Sequence, residues 1–148
     1  MQSSFVVIEQ SNILQFCDLY IAVFNAAPWH DGWTPEAVRE RFESFACYPT
    51  FYGIAHFTNG KPDAIAFGWT ERWINKWHFH LKEMCVASDA QGRGIGSNVL
   101  SELEVRLRNR AVDRIFLETG QSAPARKFYE ASGYKQNSLV SLAKKIEA

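Results

Sequence analysis

The chain has 148 residues, enough for one ordinary globular domain with a single sizeable core, and one domain over residues 1–148 is expected. Its 16 Lys and Arg balance 16 Asp and Glu, so no global field draws it to nucleic acid or anionic lipid, and neither is expected as a partner. The three cysteines, Cys17, Cys47 and Cys85, lack metal-like spacing and read as reduced thiols. With no leader-like start and no run long enough to span a membrane, a cytoplasmic protein is expected.

The apolar run Phe5 to Ile8 predicts a strand, and Ser11 is then placed to cap a helix carrying Ile13, Leu14, Phe16, Cys17, Tyr20, Ile21 and Phe24. Pro28-Trp29-His30-Asp31-Gly32-Trp33 breaks that pattern. Thr34 as cap and Pro35 in the first helical position then start a second helix that runs to about Phe45. From Phe51 the period becomes that of strands: Phe51 to Phe57, the turn residues Asn59-Gly60, and Ala64 to Trp69 predict a hairpin, followed by a long strand from Trp77 to Val86. A glycine loop, Gln91 to Gly96, leads into a helix with Ile95, Val99, Leu100, Leu103 and Leu107 on one face. Arg114 to Glu118 predicts a strand, Ala123 to Ala131 a helix stopped by Gly133, and Leu139 to Leu142 a closing strand. A meander followed by strand and helix alternation implies an α/β chain of the α+β kind, a mixed sheet with helices on its faces.

The segment Val86-Ala87-Ser88-Asp89-Ala90-Gln91-Gly92-Arg93-Gly94-Ile95-Gly96-Ser97 leaves a strand and enters a helix within one tight loop. Glycines at 92, 94 and 96 remove the side chains that would hold a ligand off the backbone, so successive N–H groups can converge on phosphate oxygens. The helix dipole adds to that attraction, and Arg93 offers a direct charge. A nucleoside-triphosphate loop would carry Lys-Ser or Lys-Thr after its last glycine, and none is present. A dinucleotide fold would place its glycines after the first strand of a parallel unit, whereas this loop follows a hairpin.

Here the sequence resembles the GNAT superfamily of N-acetyltransferases. Gln91-Gly92-Arg93-Gly94-Ile95-Gly96 matches the family's coenzyme signature of Gln or Arg, two free positions, Gly, one free position, then Gly or Ala. Ala125-Arg126-Lys127-Phe128-Tyr129-Glu130-Ala131-Ser132-Gly133-Tyr134 is similar to its second element, Ala-x-x-Phe/Leu-Tyr-x-x-x-Gly-Phe/Tyr. The resemblance implies the GNAT fold, with acetyl-CoA lying between two splayed parallel strands, Trp77 to Val86 and Arg114 to Thr119. It further implies transfer of an acetyl group to a primary amine by direct attack in a ternary complex. Backbone groups at Met84, Cys85 and Val86 would meet the pantetheine. Those at Gln91, Gly92, Arg93, Gly94, Ile95, Gly96 and Ser97 would hold the pyrophosphate. Tyr129 matches the family's tyrosine that protonates the departing thiolate. Many members carry Asn where this chain has Ser122, which is expected to cap the helix and donate to the coenzyme.

An ammonium ion cannot attack a thioester, so a base or a water chain is required. By family position both His80 and Glu83 are candidates. Strict alternation puts His78, His80, Lys82 and Met84 on one face and Phe79, Leu81, Glu83 and Cys85 on the other, unless a bulge intervenes. No Cys or carboxylate is spaced to complete a metal site with His78 and His80, and no metal is expected.

The loop Trp29, His30, Asp31 and Trp33 corresponds to the family's acceptor wall. With Trp69, Trp73 and Trp77 and the acidic Asp31, Glu71 and Glu83 it would suit a compact amine or an aminated sugar, an aminoglycoside included; a peptide amine is a further candidate acceptor. A non-catalytic acyl-CoA-binding or sensing module on the same scaffold is the alternative, and a nucleotide-phosphate binder a third. The exposed final strand, Leu139 to Leu142, offers a route to a homodimer.

Overall fold

The computed structural model describes residues 2–147. These divide into two compact units, Met1–Glu118 and Thr119–Ala148.

The first unit carries a five-stranded sheet in the order β1-β2-β3-β4-β5, with β1 at Ser3–Val7, β2 at Phe51–Thr58, β3 at Lys61–Trp73, β4 at Lys76–Val86 and β5 at Val112–Phe116. The first four strands run antiparallel and β5 joins β4 in parallel. The expected mixed sheet is therefore observed, and Asn59-Gly60 makes the hairpin turn, with both residues at positive φ.

On one face lie a 3-10 turn, Ile13–Phe16, and the helices α1 (Cys17–Phe24) and α2 (Pro35–Ala46). Phe16, Tyr20, Val23, Val38 and Phe42 pack there against Ala55, Ile65, Phe67 and Cys85 of the sheet. Thr34 caps α2 as expected, its Oγ1 accepting the Ala37 N–H at 3.2 Å. Ser11 does not cap the first helical segment. Asn12 holds that corner instead, its amide accepting from Glu9 N–H through Oδ1 and donating to the Val7 carbonyl through Nδ2.

The helix α3 (Ile95–Arg108) covers the opposite face through Val99, Leu100, Leu103 and Leu107, all buried. The second unit holds α4 (Pro124–Ala131). Ser122 is not its cap: Ala123 occupies that position, with no side-chain bond. The expected strand Leu139 to Leu142 does not form. That segment pairs with no strand among the described residues, and Leu139, Val140 and Leu142 are exposed. Four residues of apolar pattern in a polar tail supply too few pairing groups to define a strand by themselves.

Candidate active site

The ladder between β4 and β5 joins Trp77 to Val112, His78 to Arg114, Phe79 to Ile115 and His80 to Phe116, then stops. β5 begins two residues earlier than expected and ends at Phe116, while β4 runs on to Val86. From Leu81 to Val86 one edge of β4 pairs with β3, and the other has no strand partner among the described residues. Backbone groups alternate between the two edges of a strand, so those of every second residue on this stretch are available to an extended ligand that adds to the sheet as a strand would, while the Val86 carbonyl is held by Gln91.

A bulge decides what faces this gap. Phe67 pairs with Glu83 and Gly68 with Leu81, so Lys82 is an extra residue in β4. The strict alternation read from sequence is broken there. His78 and His80, opposite Glu71 and Trp69, share a face with Glu83 and Cys85, opposite Phe67 and Ile65. Phe79, Leu81 and Met84 take the α3 face. The two candidate bases thus project from the same side of β4.

Their surroundings differ. Glu83 is buried, and its Oε1 accepts from Arg41 Nε at 2.9 Å and from Arg41 Nη2. Tyr20 lies beside this pair, and burial followed by the Glu83 charge holds the Tyr20 phenol well above its ordinary value. Burial works against the Arg41 charge, but Glu83 and then Tyr20 outweigh it and raise its pKa. The guanidinium also lies 4.7 Å from the Phe45 ring centroid and 5.3 Å from that of Trp33. His80 has no such tie. Its ring stacks on Phe116 at 5.5 Å, and its Nε2 lies 3.7 Å from Glu71 Oε1.

The aromatic residues sort by face. Trp69 packs on Phe45 and stacks on Tyr48 at 4.9 Å, and Trp73 stacks on His78, all on the His80 side. Trp77 does not join them, since it pairs with Arg72 on the α3 side and lines a cavity with Tyr52 and Arg110. That cavity, of about 290 Å³, and another of about 340 Å³ beside Cys17 are lined by neither His80 nor the glycine loop. In the loop Trp29 to Trp33, Asn25 clamps the backbone of Trp33 through both its N–H and its carbonyl. Asp31 Oδ2 accepts from Trp33 Nε1 at 3.1 Å, Trp33 lies on Tyr20, and Trp29 lies on Phe24. His30 adopts φ of 50°. Trp33 and Asp31 are thus held as a wall, packed on residues beside Glu83.

The glycine loop begins with a 3-10 turn, Ser88–Ala90, and enters α3 through Gly94 in the left-handed region, φ +78°. No side chain caps α3, so the N–H groups of Ile95, Gly96 and Ser97 are left for a ligand at the positive end of the helix dipole. A Cβ built on Gly92 or Gly94 meets nothing within 4 Å, so open space lies against both. An uncapped helix start beside open space fits an anionic pyrophosphate. Gln91 is a brace, its Nε2 donating to the Val86 carbonyl at 3.0 Å. Arg93 and Ser97 are exposed on the loop surface.

Sequence reading missed the anchor beneath this loop. Asp63, the extra residue of a bulge in β3, accepts Ala87 N–H at its carbonyl. Its carboxylate accepts from Thr58 Oγ1 and lies 2.6 Å from His56 Nδ1. The only signal was polar His56 and Asp63 inside otherwise apolar strands. Cys85 is buried and its thiol is pushed well up by desolvation and then by Glu83, which keeps it neutral.

In the second unit Tyr129 is half-buried, its ring edge-on to Phe128 and Tyr134, and its carbonyl accepts from Ser132 and Tyr134. Ser122 is exposed. Among the described residues no three His, Cys, Asp or Glu cluster as metal ligands, and no helix is long and apolar enough to cross a membrane.

A model of the acetyltransferase (GNAT) family matches residues 14–134. The chain belongs to that family. Its match takes in α1, α2, the sheet from β2 to β5, the glycine loop and the Tyr129 helix. Among solved structures it is similar to an aminoglycoside acetyltransferase from an uncultured soil metagenomic sample in complex with sisomicin, at 13% identity over 98% of this chain and 97% of that one, TM-score 0.80. An aminoglycoside N-acetyltransferase in complex with CoA superposes at TM-score 0.77 and 12% identity, over 97% and 95% of the two chains. A ribosomal-protein-alanine N-acetyltransferase from Brucella melitensis gives 0.75 and 13%, over 98% and 100%. At these identities the likeness is one of fold. No curated protein matches the chain in sequence.

Proposed function

We propose that this GNAT chain is an acetyl-CoA-dependent N-acetyltransferase that moves an acetyl group to a primary amine of a small molecule by direct attack. The observation that carries the reading is the pairing of an uncapped glycine entry to α3 with a β4 edge left open beyond His80. Bound acetyl-CoA supplies an acyl carbon activated as a thioester. The N–H groups of Ile95, Gly96 and Ser97 hold its pyrophosphate, Arg93 adds charge, and the open backbone of Met84 to Val86 holds its pantetheine.

His80 serves as the base in this reading, because the Glu83 carboxylate is already bonded to Arg41. His80 takes one proton from the acceptor ammonium. The amine nitrogen then forms its bond to the acyl carbon as the carbon–sulfur bond breaks. Tyr129, assigned by the second motif, passes a proton to the departing sulfur and is restored by the second proton leaving nitrogen. The neutral, buried Cys85 thiol argues against a covalent acyl-cysteine route. The wall of Trp33, Phe45 and Trp69, with Glu71 at its rim, favours a compact cationic amine or aminated sugar over a bulky anionic acceptor.

Tyr129→Phe tests the acid assignment. Turnover is expected to fall about a hundredfold, within the range of a lost proton donor, with the dissociation constant of CoA unchanged. Unchanged turnover removes Tyr129 from the chemistry.

A further inference from the structure

His80 holds two ring nitrogens in unlike settings. Among the described residues Nε2 is the sole buried side-chain nitrogen or oxygen without a hydrogen-bond partner, although the side chain as a whole is 36% exposed. The exposure therefore belongs to the rest of the side chain, and Nδ1 is not an enclosed atom lacking a partner. The nearest group of opposite charge to Nε2 is the Glu71 carboxylate of β3, 3.7 Å away, just beyond hydrogen-bond length. The ring plane is set by the stack on Phe116 of β5.

The other charged groups near this face are engaged. Glu83 is bound by Arg41 of α2, and Asp113 of β5 lies 3.7 Å from Nε2 of His78. Glu71 is left to His80 alone: across the ladder it faces His78, whose Nε2 is directed at Asp113.

We infer that Glu71 is the positioning residue of His80, holding the proton on Nε2 so that the Nδ1 lone pair faces the acceptor amine. This rests on the proposed acetyl transfer only for its catalytic consequence. An imidazole carries one proton when neutral, and a carboxylate beside one nitrogen favours the tautomer that directs N–H toward it. When Nδ1 takes a proton from the acceptor ammonium, both nitrogens carry hydrogen and the ring becomes a cation. The Glu71 charge then stabilises that cation, and the Nε2–H···Oε1 contact strengthens as charge develops.

The test reads the ring first and turnover second. Nitrogen-15 correlation spectra of the free wild-type protein at neutral pH are expected to show His80 with its proton on Nε2, in slow exchange with water. In Glu71→Gln, which alters an exposed side chain and is expected to leave the fold intact by circular dichroism, the proton is shared between Nε2 and Nδ1 as mixed tautomers. The same variant lowers kcat about tenfold with KM for acetyl-CoA unchanged, and Glu71→Asp restores part of it. A wild-type His80 protonated on Nδ1, or a Glu71→Gln protein with an unaltered tautomer, overturns the inference whether or not the protein acetylates any amine. A correct tautomer with no acetyl transfer by wild type upholds the geometry and sinks the proposed function instead.

Discussion

Arg41 of α2 donates from both Nε and Nη2 to a single oxygen of Glu83 on β4, and so ties the second helix to the fourth strand. Glu83 is 8% exposed and Arg41 30%, so this pair is only partly screened by water. Removing one partner leaves a buried charge, which costs more than removing both.

The first prediction is a double-mutant cycle. Arg41→Met is expected to cost about 2–3 kcal/mol, below the range for fully buried pairs because Arg41 is partly exposed. Arg41→Met with Glu83→Gln is expected to recover at least half of that. Urea unfolding measures both, and simple additivity of the two single changes refutes coupling.

The β4 bulge depends on Gly68. A Cβ there would lie 1.8 Å from the His80 carbonyl oxygen and 2.9 Å from its carbon, both backbone atoms that cannot swing aside. Gly68→Ala should therefore cost about 3 kcal/mol or force the bulge to shift, turning His80 off its face. A variant with wild-type stability and activity would show that the close approach is not required.

The glycine loop offers a matched control. Gly94 and Gly60 have nearly equal φ, +78° and +79°, and an added Cβ at either meets nothing within 4 Å. Gly94→Ala and Gly60→Ala should each lose about 1 kcal/mol to left-handed strain. Calorimetry with CoA should show affinity reduced at least tenfold by Gly94→Ala alone. Equal affinity in the two variants would place the pyrophosphate elsewhere.

Alkaline stability follows from two raised groups. Cys85 and Tyr20 start from ordinary values of 9.0 and 10.0 and are both raised in the folded state. Above about pH 9 the unfolded chain releases protons that the native state keeps, so unfolding becomes easier as pH rises. Urea midpoints should be flat from pH 7 to 8.5 and fall beyond 9. A thiol reagent should modify exposed Cys47 quickly and Cys85 only on unfolding. A midpoint still rising at pH 10 would contradict this burial.

The elements that frame the candidate site were legible where local chemistry restricts residue type. A backbone cradle needs glycine, so Gly92, Gly94 and the apolar periodicity of α3 announced both loop and helix. Thr34-Pro35 announced the start of α2 for a similar reason, since few residues cap a helix or fit its first turn. The β4 bulge was legible only as an option: the adjacent polar pair Lys82-Glu83 breaks the alternation, but the close approach at Gly68 that accompanies the register shift has no local pattern. The bond from Arg41 to Glu83 spans 42 positions, and no local pattern encodes it. Ser11, Ser122 and Leu139 to Leu142 fit local rules, but Asn12, Ala123 and an unpaired tail occupy those roles.

Release of free thiol from acetyl-CoA, followed across a panel of primary amines with Cys47 blocked beforehand, distinguishes an N-acetyltransferase from a coenzyme binder. Release is expected to depend on the amine, saturate with it and yield the N-acetyl product. Tight CoA binding with no amine raising thiol release above background would contradict acetyl transfer and leave a coenzyme-binding module.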